Sequence, residues 1–128
     1  MATSDDINAT IDQYIKTFSA GDRAGWIELF ATDATLEDPV GADVKHGHGE
    51  LLEFWDFVQS LSEHIELRPG GPACVAGHEG AFPITIINDF DGTLMAIDAI
   101  DVMTFTDDAK IATMRAYWDM AQMHPLDV

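Results

Sequence analysis

The sequence predicts an α+β fold, with N-terminal helices packed on one face of a strongly curved, mostly antiparallel sheet. Three observations predict it. Apolar residues recur at helical spacing through most of the first half. They alternate in twos through the second half, where long strands are expected. Turn signals at Asp91-Gly92 and at residues 107–110 separate those strands, as hairpins require. The 128 residues suit one domain, 1–128.

Residues 5–20 read as the first helix. Ile7, Ile11, Tyr14, Ile15 and Phe18 share a face, Thr3 or Ser4 is placed to cap the start, and Gly21 follows the end. Asp22 caps a short second helix whose face carries Trp26, Leu29 and Phe30. Residues 34–39 are too few for a helix, and Pro39 holds Asp38 extended, so a short strand ends at Asp38. The polar residues 41–49 read as a loop. Residues 50–61 return to helical spacing, with Leu51, Phe54, Trp55, Val58 and Leu61 on one face. Strands follow at 65–68, 73–77, 81–89, 93–106 and 111–118.

Charge narrows the function. The chain carries 23 acidic residues against 6 Lys and Arg, for a formal net charge of −17. Such a surface repels phosphate backbones and anionic membranes, so neither nucleic acid nor membrane is an expected partner. A neutral ligand is. One cysteine, Cys74, forms no internal disulfide and reads as a small buried hydrophobe. The N-terminus has no basic region followed by an apolar run, which points to a cytoplasmic protein.

Three polar residues sit where apolar ones are expected. In the strand 93–106, the odd positions are Met95, Ile97, Ala99, Asp101, Met103 and Phe105. They share a face by the period of two, which surrounds the Asp101 carboxyl with apolar side chains. Desolvation there favours the neutral acid, which donates a strong hydrogen bond. A buried Asp satisfied by backbone groups is the alternative. The even positions are also mostly apolar, so a second subunit is expected to cover part of that face. Tyr14 lies in the apolar stripe of the first helix. Its hydroxyl serves either a site or a nearby carbonyl or water. Asp38 shares a side with Leu36 and is pinned by Pro39, which suits either a general base or an Asx-type turn.

Four segments carry a family likeness: Tyr14 followed by Ala20-Gly21-Asp22; residues 31–41, ATDATLEDPVG; residues 99–105, AIDVMTF; and residues 113–118, TMRAYW. The chain resembles the Δ5-3-ketosteroid isomerases, cone-shaped proteins of the NTF2-like and SnoaL-like superfamily. The resemblance implies that Asp38 is the base carrying a proton from C4 to C6 of a 3-ketosteroid. It implies that Tyr14 and Asp101 are the oxyanion-hole donors, with an ionised base beside a neutral acid, a pattern known in that family. It implies a homodimer, no cofactor and no metal. The substrate is then a small hydrophobic 3-ketosteroid, and Trp118, Phe54, Trp55, Phe82, Met103 and Phe105 are its expected contacts, with Met95 and Met114 as further wall candidates. The family's extra tyrosines around the oxyanion donor correspond here to Phe30 and Trp55. Neither offers a hydroxyl, so Tyr14 is expected to lack part of that network.

Other signals are weaker. His46-Gly47-His48 with Glu50 lacks a third ligand at motif spacing, and Asp89-Phe90-Asp91-Gly92 lacks the later ligands of a calcium loop. Two rival functions stand beside the isomerase. One is a polyketide cyclase or dehydratase of the same superfamily. The other is a non-catalytic module for hydrophobic ligands.

Overall fold

The protein is described here by a computed structural model covering residues 2–62 and 64–126. Helix α1, Ser4–Ala20, opens with a capping box. Thr3 Oγ1 accepts from the Asp6 N–H at 3.1 Å, and Asp6 Oδ2 accepts from the Thr3 N–H. Gly21 ends the helix in the left-handed conformation at φ 69°. The stripe Ile7, Ile11, Tyr14 and Phe18 is buried. Helix α2, Arg23–Ile27, is capped by Asp22, whose Oδ1 accepts from the Gly25 N–H. Helix α3, Gly47–Ser60, buries Leu51 and Trp55.

Among the described residues, eight strands form one sheet. They are β1 Phe30–Glu37, β2 Lys45–His46, β3 His64–Pro69, β4 Cys74–Ala76, β5 Glu79–Phe90, β6 Thr93–Phe105, β7 Ile111–Tyr117 and β8 His124–Pro125. The order is β2-β1-β7-β6-β5-β3, with β4 on β5 and β8 on β6. Among the described residues every strand pair is antiparallel except β1 with β7. The three helices pack on the curved sheet, as the sequence predicts. A Cβ at Gly80 would lie 3.1 Å from Ile11 Cδ1, so glycine lets α1 lie close on β5.

The alternation along β6 is present. Ile97, Ala99, Asp101, Met103 and Phe105 are buried, whereas Leu94, Asp98 and Ile100 are exposed. Ala96 is the exception and is fully buried. On the outer face, Ile100 lies opposite Tyr117, and both are exposed.

Four details differ from the sequence reading. Phe30 begins β1 rather than closing α2, though it stays in the core. The start of β1 lacks alternation because its register with β7 shifts between Phe30 and Thr35, leaving Thr32 and Asp33 exposed. The expected loop 41–49 contains β2 and the first turn of α3, where Glu50 Oε1 accepts from the His46 N–H. Cys74 is exposed, because β4 is a short strand paired on one side only.

Candidate active site

Four elements bring the site together. Tyr14 comes from the buried face of α1, Asp101 from the inner face of β6, Asp38 from the turn after β1, and Trp118 from the residue after β7. All four line one cavity of about 380 Å³. That lies within the range of small-molecule sites, roughly 300–1,000 Å³. Apart from these groups and Asn88, its walls are apolar: Phe18, Phe54, Val58, Ile65, Ile84, Ile97 and their neighbours. Phe57, Leu61, Phe90 and Met120 line it and are also exposed, which marks the mouth.

The turn carrying Asp38 is fixed from several sides. Arg115 Nε donates to Glu37 Oε1 at 2.9 Å, and the Gly41 N–H donates to Glu37 Oε2. The Val40 N–H donates to the Ala116 carbonyl at 2.8 Å. Within this frame Trp118 Nε1 donates to Asp38 Oδ1 at 2.6 Å. Burial pushes the Asp38 carboxyl up to about 6, against the pull of the indole donor, which favours the charged form. A base poised there is ionised at neutral pH yet close to it in proton affinity.

Asp101 is 1% exposed, and neither carboxyl oxygen has a hydrogen-bond partner among the described residues. Desolvation first, and the nearby Asp38 charge second, hold its pKa well above the usual carboxylate range. It is therefore a neutral acid with a proton to donate. Burial likewise raises Tyr14, with Asp101 and Asp38 adding to the effect, so the phenol keeps its proton. Tyr14 is ringed by Phe18, Phe30 and Phe82, with centroids 6.2–6.4 Å away. Where the family resemblance expects hydroxyls, Phe30 and Trp55 offer none, and Trp55 meets Phe18 edge-on at 5.2 Å and lies tilted against Trp26 at 5.0 Å.

Of the substrate contacts expected from sequence, Trp118 and Phe54 line the cavity. Trp55, Phe82, Met103 and Phe105 do not, nor do Met95 and Met114; all but Met95 belong to the buried core. The reason for Trp55 lies in the helix. Phe54, Phe57, Val58 and Leu61 make one stripe toward the cavity, and Leu51 with Trp55 makes another toward the core. Sequence reasoning missed Asn88, Pro39, Met120 and Met123. Met120 and Met123 follow the last long strand and have no periodic signal. His48 Nε2 hydrogen-bonds the Phe30 carbonyl at 2.9 Å, which gives that histidine a structural place at the α3 start.

Two results are expected from these environments. The unfolded-state Asp101 titrates near 3.9 and the folded one far higher, so the folded state binds the extra proton. Stability from this group is present below about pH 4 and falls as pH rises toward the folded value, by about 1.4 kcal/mol per unit crossed. Asp101→Asn removes that titration. Urea unfolding at pH 4 and pH 7 should show the variant gaining on the wild type as pH rises; a constant difference would contradict the neutral acid. In the second case, Trp118→Phe removes a donor that lowers the Asp38 pKa, so Asp38 should titrate above about 6. Infrared titration of the Asp38 carboxyl in the variant and the wild type should show its midpoint moved upward; an unchanged midpoint would contradict the role of the indole donor.

The chain is thus a small α+β protein that brings two carboxyls and a phenol together in an apolar cavity. The chain belongs to the SnoaL-like domain family, whose pattern matches residues 11–114. It is 36% identical over 120 residues to a steroid Delta-isomerase of Nocardioides simplex, covering 94% of this chain and 95% of that protein. Its structure is also similar to that of SalBIII, an epoxide hydrolase/cyclase-like enzyme of pyran ring formation in the polyether salinomycin. The TM-score is 0.88 and the identity 26%, over 98% of this chain and all of that one.

Proposed function

We propose that the protein is a cofactor-free steroid Δ-isomerase, moving a Δ5 double bond of a 3-ketosteroid to Δ4. The observation that carries this reading is the meeting of Tyr14, Asp38 and Asp101 in one apolar cavity, with two carboxyls held in different protonation states. Ionised Asp38 takes a proton from C4. The electrons released spread through the dienolate onto the C3 oxygen. Tyr14 and neutral Asp101 donate to that oxygen as it gains charge. Protonated Asp38 then returns the proton at C6, and the conjugated enone forms.

The chemistry suits the groups. A dienolate is a diffuse anion, and neutral donors in a dry cavity stabilise it without fixing a permanent ion pair. One carboxylate within reach of C4 and C6 serves both transfers. Trp118 acts on Asp38 through its hydrogen bond and forms part of the cavity wall. Exposed Ile100 and Tyr117 leave apolar surface on the outer sheet face, which supports a homodimer through that face.

Incubation with 5-androstene-3,17-dione tests the reading, because conjugation creates a new ultraviolet band. Growth of that band with enzyme concentration supports it. A bound steroid with no band sends the reading to the likeness with SalBIII, and thus to ring closure on another oxygenated substrate.

A further inference from the structure

The cavity holds one more polar side chain than the proton transfer uses. Asn88 sits on β5 and lines the cavity with Ile84 and Ile86, in the run Phe82, Ile84, Ile86, Asn88, Phe90 on the inner face. It is only 9% exposed. Its cross-strand partners are Ile65 on β3 and Met95 on β6. Among the described residues no group hydrogen-bonds its side-chain amide. Its amide atoms are not among the fully buried unpaired ones, so water reaches them in the open cavity; a ligand that displaces that water leaves the amide unpaired, at a cost, unless the ligand itself pairs with it.

Its position says what that is. Phe82 lies opposite Asp101, and Asn88 is six residues further along β5. At about 3.3 Å per residue that is roughly 20 Å of strand, running from the acid toward the mouth at Phe90. The two side chains, two hydrogen bonds of about 2.8 Å and the curvature of the sheet shorten the gap to be filled. What remains suits an elongated ligand of several fused rings rather than a single ring.

We infer that Asn88 is a specificity-determining residue, hydrogen-bonding a second oxygen on the ligand at the end opposite the reacting ketone. The ligand is a rigid apolar ketone with a carbonyl or hydroxyl at its far end. A carbonyl accepts from the amide NH₂, and a hydroxyl donates to the amide oxygen. The direction of the ligand rests on the isomerase reading, which puts the reacting ketone at Tyr14 and Asp101.

Equilibrium binding of two non-reacting products tests this: 4-androstene-3,17-dione and 4-androsten-3-one, which lacks the far oxygen. The wild type should bind the dione about tenfold tighter, as one buried hydrogen bond against an unpaired amide allows. Asn88→Leu should collapse the ratio to within about twofold. No preference in the wild type, or the same preference in Asn88→Leu, would overturn the assignment. Failure of the isomerase reading shows separately, as absent turnover of the Δ5 steroids by the wild type. The binding ratios decide about Asn88 in either event.

Discussion

Asp38→Asn should lower kcat by about 10²- to 10⁴-fold, the range for removal of a positioned base. The amide keeps the shape of the carboxylate and still accepts from Trp118 Nε1, so the turn and the cavity should persist. It has no basic electron pair for the C4 proton. Steroid affinity should therefore stay within a few-fold while kcat falls, the pattern of a group that acts in the transition state. The wild-type pH profile should carry the same signature. Turnover should rise through about pH 6 as Asp38 ionises and level off above it. A variant that keeps full activity, or a wild type with no acid limb near that pH, would remove Asp38 from the role of base.

The oxyanion pair gives the second large effect. Tyr14→Phe deletes only a hydroxyl, and the ring stays packed against Phe18, Phe30 and Phe82. Loss of one such donor costs about 10²- to 10³-fold in kcat. Asp101 should respond differently. Asp101→Ala opens a space beside the cavity that water enters and where it donates in place of the acid. Asp101→Leu fills that space with carbon. Leu should therefore be the slower variant, although Ala is the larger deletion. Rates of the three single variants and of the Tyr14/Asp101 double variant check this. The double should lose less than the product of the singles, because both donors serve one oxygen. Equal rates for Ala and Leu at position 101 would contradict hydrogen bonding from this side chain.

The residues of the site differed in how plainly the sequence announced them. Asp101 was legible because β6 alternates regularly from Ile97 to Phe105, so one carboxyl among apolar partners stands out. The same signal existed for Asn88, which interrupts Phe82, Ile84 and Ile86 on β5. There it is the weaker signal, because an amide is a quieter anomaly than an acid. Tyr14 and Asp38 were each ambiguous alone, and only the family likeness set them in one pocket. Local pattern does not report which strand ends meet at the open side of a curved sheet. Hence Phe82, Met103 and Phe105 looked like walls although they pack in the core, whereas Met120 and Met123 went unnoticed. The helices and the long hairpins followed from periodicity and caps. Strand β2 did not, since two residues paired to Thr35 and Leu36 leave no pattern to read.

On the proposed mechanism, one shielded carboxylate carries a proton from C4 to C6. The most direct measurement uses a Δ5-3-ketosteroid deuterated at C4, with the enone band followed by absorbance and the product by mass spectrometry. The band should grow, much of the deuterium should arrive at C6, and both should slow by about 10²-fold or more in Asp38→Asn. A product whose C6 hydrogen comes wholly from solvent, or the absence of any band, would contradict it.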